Sequence, residues 1–133
     1  MNSQITIRLP QTLYQQLSDA AMVAKRPIDE IVVRSIENGM PPSVTQIPER
    51  FRDDVQGFHQ LDDVLLWRIG EVDLSEEQQE RYAELLENVE ALTEREQTEL
   101  DELRESADSL MFQRTFAYLL LRWRGHQIPN LSA

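Results

Sequence analysis

Side chains able to do chemistry are unevenly spread along this chain. It has two histidines, His59 and His126, no cysteine, and twenty-four carboxylates. Neither histidine has a second histidine or a cysteine at metal-ligand spacing, so no metal site is expected. A glycine-rich phosphate loop, a nucleophile elbow and a zinc-protease motif are all missing, so neither an enzyme nor a cofactor is expected. Most carboxylates fall on the outward faces of helical patterns, the ordinary composition of a solvated helix. What stands out is a hydrogen-bonding set at the N-terminus: Gln4, Thr6 and Arg8 alternate with Ile5, Ile7 and Leu9, and the run ends at Pro10. Period two would put an amide, a hydroxyl and a guanidinium on one face of a strand, and three aliphatic groups on the other.

The elements that must hold this face follow directly. One short strand needs a partner strand and a cover over its apolar side. Leu13, Leu17, Ala20 or Ala21, and Ala24 recur at helical spacing. Ile28, Ile31, Val32 and Ile36 do so again after the turn Lys25-Arg26-Pro27. Pro27 suits the first position of a helix, and Asp29 and Glu30 complement its dipole. Gly39 fits a left-handed position after that helix, and Pro41 and Pro42 cannot continue it. Residues 1–40 thus form one domain, residues 41–48 a stiff linker, and residues 49–133 a second domain.

Gln4-Ile5-Thr6-Ile7-Arg8-Leu9-Pro10, followed by two amphipathic helices, resembles the ribbon-helix-helix repressors and antitoxins of the Arc and methionine-repressor type over residues 3–40. The resemblance implies a homodimer in which two strands pair as an antiparallel ribbon, with Ile5, Ile7, Leu9, Ile31 and Val32 in the dimer core. It implies that Gln4, Thr6 and Arg8 meet base edges of double-stranded DNA in the major groove. It also implies that Lys25, Arg26 and the backbone at Ile28 hold a DNA phosphate at the start of the second helix. The turn departs from the family's Gly-Arg-Ser pattern, and Asp29 and Glu30 stand where they would repel that phosphate.

Charge divides the chain the same way. Residues 1–40 carry four basic and four acidic groups, whereas residues 41–133 carry nine basic and twenty acidic, the whole net charge of −11. In the acidic part, residues 49–70 read as one or two short helices with breaks at Gly57 and Gly70. Ser75-Glu76-Glu77-Gln78 and Thr93-Glu94-Arg95-Glu96 are capping boxes. They open helices to about Val89 and about Arg124, folded antiparallel through a turn at Ala91 and Leu92. Glu77 and Arg81 are spaced to pair along the first of these. Residues 110–121 are apolar almost all round. Either they pack against residues 51–69 of the same chain, or Phe112, Phe116, Leu120 and Trp123 anchor a protein partner.

The fold class expected is therefore mainly α: a ribbon-helix-helix module, then a helical region with a long α-hairpin. No apolar run reaches membrane-spanning length and no basic-then-apolar leader is seen, so a cytoplasmic protein without a membrane partner is expected. Two functions follow. One is a dimeric DNA-binding repressor, of antitoxin type if its acidic tail occupies a protein toxin. The other is a scaffold that dimerises without binding DNA.

Overall fold

The computed structural model of the protein describes residues 2–129. The chain divides into two compact units, Met1–Met40 and Pro41–Ala133.

The first unit is a pair of helices, α1 (Gln11–Ala24) and α2 (Ile28–Asn38). Lys25 makes the turn between them in the left-handed region, at φ 55. Its N–H donates to the Met22 carbonyl and that of Arg26 donates to Ala21, so a lysine fills the slot that glycine usually takes in this helix ending. Pro27 directly precedes α2, and Asp29 and Glu30 lie in its first turn.

The ribbon is absent. Residues 2–9 form no strand, and the described residues contain no strand at all, so the ribbon-helix-helix architecture is corrected to an all-helical one. The reason is physical: a strand exists only through a hydrogen-bonded ladder, and the described residues offer residues 4–9 no second β-segment to pair with. Alternation marks two chemically different sides of a segment without providing the partner. A smaller correction concerns Gly39, which sits at φ −104 instead of the left-handed region.

The second unit is built on α5 (Glu94–Trp123), thirty residues long, or about 45 Å at helical rise. Its C-terminal half packs against 3-10 segments at Glu49–Val55 and Phe58–Gln60 and against α3 (Asp63–Glu71). Phe51, Val55, Phe58, Leu66, Phe116 and Leu120 form that core, with Ile47 beside them. Residues 41–48 are thus part of this unit and no free linker. Gly57 does break the chain, at φ 82, but Gly70 lies inside α3. The N-terminal half of α5 packs against α4 (Glu76–Glu87), where Leu85, Leu100 and Leu103 make a second, smaller core with Tyr82 and Leu92.

Both capping boxes are present. Ser75 accepts from the Gln78 N–H at 3.1 Å while the Gln78 side chain accepts from Ser75 N–H at 3.0 Å. Thr93 and Glu96 do the same at 3.1 Å each way. Asp62 caps α3 by accepting from Leu65 N–H at 2.9 Å.

Candidate functional site

In the first unit, polar and apolar groups alike face solvent. Gln4, Thr6 and Arg8 are exposed, but so are Ile5, at 86%, and Ile7, at 58%; only Leu9 is half-buried. Along α1 and α2, Met22 and Val23 are three-quarters exposed or more, and Leu13, Val33 and Ile36 are also open. Ile28, Ile31 and Val32 are half-buried, and Ala21 is the one fully buried residue of this unit among those described. Two helices alone cover little of each other, which leaves much of their aliphatic surface open.

The turn gathers the cations. Lys25 and Arg26 are adjacent and exposed, one turn ahead of the amides that open α2. The carboxylates Asp29 and Glu30 lie beside them, and Glu30 pairs with Arg34 at 3.8 Å. Cation and anion therefore alternate along this edge, and the surface carries no strong field of either sign.

In the second unit the expected partner anchors are mostly consumed by the fold. Phe116 and Leu120 are each 1% exposed in the main core, and Phe112 stacks on Phe51 with ring centroids 5.0 Å apart. Only Trp123, about half exposed, remains at the surface. Of the two readings of residues 110–121, packing against residues 51–69 is the one observed.

Comparison with protein-family models, with curated proteins and with solved structures finds no match to this chain.

Polar geometry in the second unit includes two places at the α3–α5 contact that sequence spacing did not single out. At one, Asp63 receives Arg124 Nη1 at 2.8 Å and lies 2.6 Å from His126 Nε2. Arg124 also donates to the carbonyls of Leu61 and His59, so the end of α5 is fastened to the start of α3. The Arg124 and His126 hydrogen bonds hold the Asp63 carboxyl below its usual range. At the other, α3 and α5 approach so closely that only glycine fits: a Cβ on Gly70 would stand 2.2 Å from the Tyr118 ring. Tyr118 Oη donates to the Gly70 carbonyl at 3.0 Å, and Arg114 donates to the carbonyls of Gly70 and Val72. Beside this contact lies an open groove of about 670 Å³, lined by Trp67, Tyr118 and Met111, by Glu71, Asp73 and Arg114, and by Thr115 and Pro129. The Trp67 and Tyr118 rings lie 5.9 Å apart, inclined at 57°.

Among the described residues, no group of three or more histidine, cysteine or acidic side chains is placed to hold a metal ion. No helix among them is long and apolar enough to cross a membrane.

Proposed function

We propose that the protein is a dimeric DNA-binding repressor of antitoxin type, with the first unit as its association and DNA-contacting part and the acidic second unit serving a protein partner. The observation that carries this is the poverty of the first unit's core. A forty-residue unit without disulfide or metal needs association to be stable, and this one leaves Ile5, Ile7, Val33 and Ile36 in water. A second copy supplies the cover, with Ile5, Ile7, Leu9, Ile31 and Val32 between the two chains. Gln4, Thr6 and Arg8, all exposed in the segment before α1, are then the groups for base edges, and Lys25 and Arg26 those for phosphate.

A second reading is favoured by Asp29 and Glu30, which oppose a phosphate at the start of α2, and by the first unit's lack of excess positive charge. On that reading the chain is a scaffold that pairs and leaves DNA alone. An electrophoretic shift against the promoter of the protein's own operon separates the two. The repressor gives a retarded band at low salt that survives excess competitor DNA. A band abolished by competitor at every concentration, or none at all, leaves the scaffold. A folded monomer at micromolar concentration in sedimentation equilibrium removes both.

A further inference from the structure

The groove beside Gly70 has a chemistry that the core does not use. Trp67 and Tyr118 are half-buried, so part of each ring closes the core and part faces the groove, with the exposed Met111 beside them. Glu71 and Asp73 stand at its edge, and neither forms an ion pair among the described residues. One Asp73 oxygen accepts from Leu74 N–H at 2.8 Å, which leaves the other available. Arg114 is the cation among the residues lining the groove, and its fork is committed to the Gly70 and Val72 carbonyls and pairs with neither acid. The groove therefore offers aromatic surface beside two uncommitted carboxylates, in a unit with twenty acidic and nine basic groups.

Aromatic surface next to carboxylates is suited to a cation with an apolar stem. A guanidinium or ammonium gains from the ring quadrupole, the acids complete its charge, and Met111 lies against its methylenes. An anion finds only Arg114 and meets Glu71 and Asp73; a purely apolar segment strands both acids in a drier site. We propose that this groove is where the second unit takes a basic side chain, arginine or lysine, from an extended segment of a partner protein. The proposal rests on the reading of the second unit as the partner-binding part, and gives it an address and a chemistry.

The test uses the full chain and a short capped peptide of alternating alanine and arginine. Indole N–H resonances of Trp67 and Trp123 are followed by NMR, with Trp123→Phe assigning the pair. The Trp67 signal should move saturably with added peptide. Glu71→Gln with Asp73→Asn should weaken binding about five- to tenfold, whereas Glu87→Gln with Glu90→Gln, the same charge change elsewhere, should weaken it less than about twofold. A stationary Trp67 signal with bound peptide, or equal loss from the two double variants, overturns the groove and leaves the partner reading standing. No binding even at low salt removes both. The Trp67 signal is read on the wild-type side chains of the groove, so the outcome does not depend on the double variants folding.

Discussion

At the scale of single residues, the proposed recognition of DNA rests on side chains that differ in what they could touch. Arg8 has the fork to grip guanine O6 and N7, so Arg8→Ala is expected to lose about 1–3 kcal/mol of preference for the cognate site over a mismatched one. Lys25→Ala and Arg26→Ala are expected to weaken all DNA about equally and to flatten the salt dependence, because phosphate carries no sequence information. Asp29→Asn should tighten binding, since it removes a carboxylate from the first turn of α2. Competition binding at two salt concentrations reads all four variants. Indifference to every change, with the dimer intact, returns the scaffold reading. Gly70 matters for a different reason: its missing Cβ lets the Tyr118 ring lie on the α3 backbone. Gly70→Ala must displace that ring and is expected to cost about 1–3 kcal/mol of stability in urea melts. Tyr118→Leu, made second, should recover part of that loss; if it adds its own cost in full, the close approach is not the cause.

At the scale of elements, the α4–α5 hairpin is held by its small leucine core and by one cation. Arg81 donates Nε and Nη2 to the two carboxylate oxygens of Glu99 at 2.7 and 3.0 Å, and Nη1 to Glu84 at 3.1 Å. The bidentate hydrogen bonds from Arg81 hold the Glu99 carboxyl below its usual range. A depressed folded pKa adds stability above the ordinary value, 4.5 for Glu99, and that stability is lost as pH falls through the folded value. Asp63, lowered by Arg124 and then His126, acts in the same direction at the other end of α5. The urea midpoint of the wild type should therefore fall as pH drops below about 4.5, and Arg81→Met should flatten that fall. An unchanged acid profile in Arg81→Met would show that Glu99 gains nothing from its partner.

At the scale of the whole molecule, the two units differ in self-sufficiency. The second has two cores joined by one long helix, and residues 41–133 expressed alone are expected to melt cooperatively as a helical fragment. The fragment must begin at 41 because Ile47 lies in its core. On the proposed reading the first unit depends on a second copy, so Ile7→Lys in the full chain should abolish the dimer in light scattering while the second unit's melt persists. A dimer that survives Ile7→Lys places the association surface elsewhere.

The sequence by itself determined whatever is local. The capping boxes at Ser75 and Thr93, the helical stripes, the break at Gly57 and the division of charge between the units all follow from interactions within a few residues. Burial of residues 110–121 was legible too, as an all-round apolar helix requires, but that residues 51–69 provide it was one of two open readings and was decided by the tertiary structure. Tertiary structure decided what depends on partners distant in the chain. Arg81 is spaced to meet Glu77 along one helix, yet its fork goes to Glu99 on the facing helix, where both carboxylate oxygens can be reached at once. Gly70 reads as a break in sequence and is a seat for Tyr118, forty-eight positions away. Residues 4–9 alternate as a strand does but form none, because alternation is a property of a segment and a ladder is a property of two. The Trp67–Tyr118 groove is likewise assembled from α3 and α5, and no spacing within either helix announces it.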